Sequence, residues 1–245
     1  MGIDLRGRKA LVTGGGIGIG AAIVQAYLDA GAEVAFTFRS HPPKRDAGAR
    51  NVHSFQVDGT DEAAVTQVVG DVVSQLGGID ILVNNIGGLV KRAGIEDLDL
   101  ATWHSILSVN LDSTFLFTHA VIPHLGKDGR VINIGSLAGH TGGHPGALAY
   151  ATAKAAVLGF TRSLATEVGP RGITVNALAP GFIENTPFHD TFTTAQSKEK
   201  TISGIPVGRA GVPADVASAA LWLASPKASF VSGSVIDVNG AQYFH

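Results

Sequence analysis

Short apolar runs alternate with longer stretches of helical spacing along this chain. Ala10-Leu11-Val12, Ile79-Asp80-Ile81-Leu82-Val83 and Gly172-Ile173-Thr174-Val175-Asn176-Ala177-Leu178 are nearly all apolar at their centres. Runs of that kind suit strands of a parallel sheet covered on both faces. The pattern predicts strands at about 9–13, 33–38, 52–57, 79–84, 129–135, 172–178 and 234–238. Helices are predicted near 17–30, 61–76, 100–124, 148–168 and 213–224. Alternation of the two implies right-handed βαβ units and a doubly wound, parallel α/β sheet. No repeat, linker or low-complexity segment marks a second domain, so residues 1–245 read as one.

Composition narrows the classes. The 245 residues are 45% hydrophobic, enough for one large α/β core, and 32 glycines fit many tight strand–helix turns. A formal net charge of −2 with no basic block leaves no electrostatic footprint for nucleic acid. Without cysteine, neither disulfide nor thiolate chemistry is available. Met1-Gly2-Ile3-Asp4-Leu5-Arg6 carries no signal-like apolar stretch, and Arg6 stands where myristoylation needs Ser or Thr. No uninterrupted apolar run has bilayer length, so no membrane partner and a cytoplasmic location are expected.

Two motifs carry chemistry. After the first strand comes Thr13-Gly14-Gly15-Gly16-Ile17-Gly18-Ile19-Gly20, opening a helix. Strand, glycine loop and helix in that order is the context of a dinucleotide fingerprint, hence a Rossmann-type fold. The glycines let backbone approach a pyrophosphate at a helix N-terminus. Tyr150 and Lys154 lie one helical turn apart and share a face. A free phenol titrates near pH ~10, and a neighbouring cation would lower that value and make it a proton-transfer group.

Further signatures follow in order: Asn84-Asn85-Ile86-Gly87, Asn110, Ser136 at a strand end, Tyr150 with Lys154, and Pro180-Gly181. With the T-G-x-x-x-G-x-G loop, the chain resembles the short-chain dehydrogenase/reductase family, in its single-domain branch, over nearly its whole length. The resemblance implies a seven-stranded sheet in the order 3-2-1-4-5-6-7. It implies hydride transfer between a nicotinamide and a carbonyl carbon, with Tyr150 as acid in reduction and base in oxidation. Lys154 would bind the nicotinamide ribose and lower the Tyr150 pKa. Ser136 would hold the substrate oxygen, and Asn110 would hold a water of a proton relay or else bridge backbone. Gly14, Gly16, Ile17, Gly18, Ile19 and Gly20 would cradle the cofactor, with Gly59 and Gly87 lining it. Asp58 would contact adenine or cap the helix near Asp61, and Asn85 would line the ribose wall or stabilise the central turn. Pro180, Gly181, Ile183 and Thr186 would meet the nicotinamide.

Cofactor choice turns on the end of the second strand, Phe36-Thr37-Phe38-Arg39-Ser40, which lacks the acid that NAD-specific members place there. Arg39 can pair with a 2′-phosphate, with Ser40, Lys44 or Arg45 adding contacts, so NADP(H) is favoured. Gly15 and Gly16 stand where Arg-bearing relatives often carry a second basic residue, so NAD(H) stays open. Residues 40–51, with Pro42, Pro43 and Gly48, predict a truncated crossover. One-residue insertions precede Tyr150 and Thr186.

A substrate lid is expected at about 186–205. Phe182, Phe188, Phe192, Leu137 and Leu148 are candidates for an apolar pocket or for ordinary packing. His140 and His144 read as polar rim rather than metal ligands. The resemblance implies a homotetramer first and a dimer second, with helices 100–124 and 148–168 packing against symmetry mates and Ala155, Ala156, Leu158, Gly159, Phe160 and Leu164 suited to the seam. Three readings stand: an NADP-dependent reductase of a small-molecule ketone or 3-ketoacyl substrate, an NAD-dependent dehydrogenase of a secondary alcohol or sugar, and a non-catalytic dinucleotide sensor.

Overall fold

The computed structural model describes residues 2–40, 51–186 and 194–244. Seven strands form one sheet: β1 (Lys9–Val12), β2 (Glu33–Phe38), β3 (Val52–Gln56), β4 (Ile79–Asn84), β5 (Leu125–Ile134), β6 (Thr174–Pro180) and β7 (Val235–Val238). Their order is β3-β2-β1-β4-β5-β6-β7, with every neighbouring pair parallel. The order reverses between β1 and β4, which opens a crevice at the carboxyl ends of the strands.

Helices cover both faces. One layer sets α1 (Gly18–Asp29) and a helix at Pro213–Ala224 against Ala10, Val12, Val34, Phe36, Ile81 and Val83. The other sets α2 (Glu62–Leu76), α4 (Ser113–Val121) and α6 (Leu148–Val168) against Leu11, Ala35, Leu82, Val131 and Val175. Alternate strand residues thus face opposite layers, as a twofold repeat requires. Asp61 caps α2, accepting from the Ala64 amide at 3.0 Å, and Gly77 ends it with φ +71°.

The predicted helix at 100–124 is segmented. It comprises α3 (Leu100–Leu107), a π turn at Ser108–Asp112, α4, and a 3₁₀ turn at Ile122–His124. By length and composition Leu100–His124 could cross a membrane, yet Ile106, Asn110, Phe117 and Val121 are buried in the fold. Two helices had no prediction: the single turn α5 (Ala138–Thr141) and α7 (Ala195–Ser203), which precedes α8 (Pro213–Ala224). The expected short crossover, with Lys44 and Arg45, lies outside the described residues, as do Phe188 and Phe192 of the expected lid.

Candidate active site

The glycine loop runs from β1 into α1 at the switch point. Gly14 (φ +62°) and Gly18 (φ +56°) adopt left-handed backbone that glycine tolerates without strain. A Cβ on Gly15 would sit 2.5 Å from Phe36 Cβ, and one on Gly20 would sit 2.3 Å from the Gly14 carbonyl oxygen. The loop therefore lies flat against β2 and β4. Gly16 and Ile19 are half-buried, and Ile17 is exposed at the crest. Unlike α2 and α3, capped by Asp61 and Asp99, α1 has no side-chain cap. Its positive dipole end is thus not met by a capping side chain at Ile17, an arrangement that fits a pyrophosphate.

Asn85 ties this loop to β4. Its Nδ2 donates to the carbonyls of Thr13 and Gly14, each at 3.0 Å, while its amide donates to Thr13 Oγ1 at 2.9 Å. These bonds brace the central turn. Arg39 and Ser40 are exposed at the end of β2, and Gln56 Nε2 donates to the Arg39 carbonyl at 2.9 Å. Asp58 accepts from Thr60 Oγ1 at 2.7 Å and from the Thr60 amide at 3.0 Å. Those bonds, with a smaller contribution from Arg39, hold its carboxyl below the ordinary carboxylate range. The expectation that Asp58 caps α2 is corrected: Asp61 sits in register with the helix, and the Asp58 carboxylate is engaged by Thr60. Gly59 is buried, its Cβ position 2.6 Å from Ile86 Cδ1.

The proton-transfer candidates gather beyond β4 and β5. Ser136 Oγ accepts from the Ala138 amide at 3.1 Å and shares a hydrogen bond with Tyr150. Lys154, 3% exposed, donates from Nζ to the Ile134 carbonyl at 2.9 Å and stands 5.9 Å from the Tyr150 ring centroid. A Cβ on Gly87 would lie 2.8 Å from both Asn110 Oδ1 and Lys154 Nζ, so both side chains converge on that glycine. Asn110 sits in the π turn. Its Oδ1 accepts from the Gly88 amide at 3.0 Å, and its Nδ2 donates to the carbonyls of Gly88 at 2.7 Å and Ile106 at 2.9 Å. The carboxamide thus bridges backbone. π turns are rare and cluster at functional sites.

Burial drives the Lys154 ammonium down to about 8, because a charge loses its hydration there. Burial also pushes the Tyr150 phenol up, with the Ser136 bond partly opposing. Burial is thus the leading influence on the Tyr150 phenol. The amine is committed to the Ile134 carbonyl and stands beside the ring, so desolvation dominates.

On the far side, the Pro180 carbonyl accepts from the Leu137 amide at 2.9 Å, and the Gly181 amide donates to the Val238 carbonyl at 3.0 Å. Ile183 pairs with Gly211, and its carbonyl accepts from Thr186 Oγ1 at 3.0 Å, so the buried Thr186 hydroxyl serves its own turn. Phe182 packs with Ile205 and Ala210 in a small satellite core, which assigns it to packing rather than to a pocket wall. Leu148 is exposed and Leu137 half-buried. His144 is exposed, whereas His140 stacks on Tyr243 rather than standing at a rim.

One polar network escaped the sequence reading. Asn84 and Asn133 are register partners on β4 and β5. Asn84 Nδ2 donates to Asn133 Oδ1 and to Thr118 Oγ1, and Asn133 Nδ2 donates to Thr161 Oγ1, each at 2.9 Å. The ladder ties α4 to α6, the helices that flank Asn110 and carry Lys154. Its signal was two asparagines in the parity of the inward-facing Leu82 and Val131.

An uncapped, glycine-lined helix start at a switch point, sharing one sheet edge with a hydrogen-bonded serine and tyrosine beside a buried lysine, defines an oxidoreductase of the dinucleotide-binding class. The family model described as "Enoyl-(Acyl carrier protein) reductase" matches residues 15–241. A 3-oxoacyl-[acyl-carrier-protein] reductase FabG of Vibrio cholerae is 39% identical, over 98% of this chain and 99% of that protein. An acetoacetyl-CoA reductase of Shinella zoogloeoides is 38% identical, over 97% and 99%. Among solved structures, a blue fluorescent protein from a metagenomic library, in complex with NADPH, superimposes with TM-score 0.89 at 33% identity, over 98% of this chain and 100% of that one. The chain belongs to the short-chain dehydrogenase/reductase family.

Proposed function

We propose that the protein is an NADP-dependent reductase of ketones, 3-ketoacyl thioesters among them, with Tyr150 as the proton donor. The observation that carries this reading is the Ser136–Tyr150 hydrogen bond beside buried Lys154. The printed activities of the Vibrio and Shinella relatives support the substrate class, and NADPH in the metagenomic relative supports the cofactor.

The glycine loop and the α1 N-terminus would hold the pyrophosphate, Arg39 the 2′-phosphate, and Lys154 the ribose beside the nicotinamide. Bound there, the cofactor supplies the hydride. Ser136 and Tyr150 hydroxyls converge on the carbonyl oxygen. Tyr150 gives it a proton as charge develops, and Ser136 holds the oxygen through the change. The Lys154 ammonium stabilises the phenolate left behind. An NAD-dependent dehydrogenase of a secondary alcohol or sugar is the second reading, favoured by the absence of a cation at Gly15 and Gly16. For assembly, exposed Phe115 on α4 and exposed Ala155 and Gly159 on α6 support a homotetramer built on these helices. Leu158 is excluded from that seam, being buried in the core.

The test is consumption of NADPH and NADH with acetoacetyl-CoA, simple ketones and sugars. Turnover of the thioester or a ketone with NADPH at least tenfold preferred is expected. A tenfold preference for NADH, or turnover of sugars alone, overturns the proposal.

A further inference from the structure

We propose that Tyr243 and His140 are positioning residues for Ser136, acting through a ring stack that fastens α5 to the chain following β7. The inference rests on the catalytic reading of Ser136 given above.

Ser136 is oriented by what comes after it. Its Oγ accepts from the Ala138 amide, its carbonyl accepts from the Gly139 amide at 2.9 Å, and Leu137 is tied through its amide to Pro180. All of these belong to α5 or its lead-in, a single turn of four residues with no side-chain cap. One turn of helix is not stable alone, because nucleation fixes several dihedrals for one hydrogen bond. α5 must therefore be held from outside.

Two contacts hold it. On one side Gly139 presses on α6: a Cβ there would lie 2.9 Å from the Lys154 carbonyl carbon. On the other, the His140 imidazole stacks on the Tyr243 ring with centroids 5.5 Å apart and planes 22° from parallel. Asp237 Oδ1 lies 3.9 Å from His140 Nε2.

Tyr243 is itself fixed. Asn239 Nδ2 donates to the Tyr243 carbonyl at 3.1 Å, and the Gln242 amide donates to Asn239 Oδ1 at 3.1 Å. Gly240 (φ +64°) and Ala241 (φ +68°) both take left-handed backbone, which a non-glycine residue keeps only where its surroundings demand it. The same segment backs the nicotinamide-side turn, since a Cβ on Gly181 would sit 2.8 Å from Asn239 Cβ. It also meets the chain beyond α7, where the Val207 amide donates to the Gly240 carbonyl at 3.2 Å. Residues 239–243 thus brace the serine, the nicotinamide-side turn and the base of the substrate side together.

The test is a double-substitution cycle on the full chain, read as kcat and KM for ketone reduction and as NADPH affinity from cofactor fluorescence. Tyr243→Ala is expected to lower kcat at least tenfold while NADPH Kd stays within twofold. Tyr243→Phe, which keeps the ring, should restore kcat to within twofold of wild type. His140→Ala should cost as much as Tyr243→Ala, and the double variant no more than either single one. Tyr243→Leu keeps apolar bulk without the aromatic face and must also lose kcat, which covers an alanine variant that fails to fold. A folded Tyr243→Ala or Tyr243→Leu protein with kcat within twofold of wild type overturns the inference, as do losses that multiply. A wild-type protein that reduces no ketone with NADPH overturns the proposed function instead.

Discussion

Replacing Lys154 with methionine tests the electrostatics of the site directly. Lys154 is 3% exposed, and burial takes its ammonium from 10.5 to about 8. A fall of about 2.5 pH units corresponds to about 3 kcal/mol of penalty on the charged form. The unfolded chain keeps the ordinary value, so it binds more protons than the folded protein between pH 8 and 10.5. Below pH 8 the lysine is charged in both states and the folded protein bears the whole penalty. Above 10.5 it is neutral in both, and the penalty is gone. Methionine fills a similar volume and carries no charge, but it forfeits the bond to the Ile134 carbonyl, worth about 1.5–3 kcal/mol if charge-assisted. Those opposing effects leave Lys154→Met between neutral and about 2 kcal/mol more stable at pH 7. The pH dependence decides more sharply than that sum. Urea unfolding of both proteins at pH 7.5 and 10.5 should show the variant's relative stability falling by about 3 kcal/mol at the higher pH. A difference between the two proteins that stays constant within about 1 kcal/mol would refute the desolvation argument.

Tyr150→Phe should leave NADPH affinity within about threefold and reduce turnover by 10²–10⁴-fold, the range for acid–base groups; more than about a tenth of wild-type activity contradicts the assignment. The pH profile of kcat/KM for reduction should be level below about 8 and fall above it as Lys154 loses its charge, before the raised Tyr150 phenol ionises; a profile still level at pH 9.5 speaks against a need for the ammonium. Arg39→Ala should weaken NADPH at least about tenfold, or ~1.4 kcal/mol, with NADH unchanged, as fluorescence titration would report. Asn133→Leu should cost about 1–3 kcal/mol, since it orphans one donor of Asn84 in the core and removes the donor to Thr161 Oγ1, whose hydroxyl still donates to the Val157 carbonyl; a urea midpoint unchanged from wild type removes the ladder from the stability argument.

Most of the sheet was legible because its signal is local. Strands β1, β2, β3, β4 and β7 fell within a residue of their predicted limits, since apolar runs bounded by Gly, Asn and Asp leave little choice of phase. β5 begins earlier than predicted, at Leu125, because Leu125 pairs with Ile79 ahead of an irregularity; residues 126–129 bulge out before Arg130 rejoins the sheet opposite Ile81, and they carry no apolar signal. The break in helix 100–124 was invisible for another reason. Its π turn is held by Asn110 bonding to Gly88, a tertiary contact that helical periodicity does not report. α5 lacks length and a cap, so only its neighbours make it a helix. The residues singled out by motif gather at the carboxyl edge of the sheet, but their hydrogen-bond partners were not readable. Asn85 and Thr186 turn to backbone, and Asp58 turns to Thr60, because each partner is fixed by chain returning from elsewhere or by turn geometry.

The two titrating groups of the cluster are displaced in opposite directions by one cause. Burial favours the neutral form of each: phenol for Tyr150, amine for Lys154. On the proposed function, a protonated phenol is what the proton donor requires, and Tyr150 keeps that form at neutral pH. Oxidation would need the phenolate, the form that burial disfavours. Lys154 remains mostly charged at pH 7, because about 8 still lies above it, so its cation is ready to stabilise the phenolate that reduction creates. The Ser136 bond partly opposes the rise at Tyr150, so the same hydroxyl that would hold the substrate oxygen also favours the phenolate.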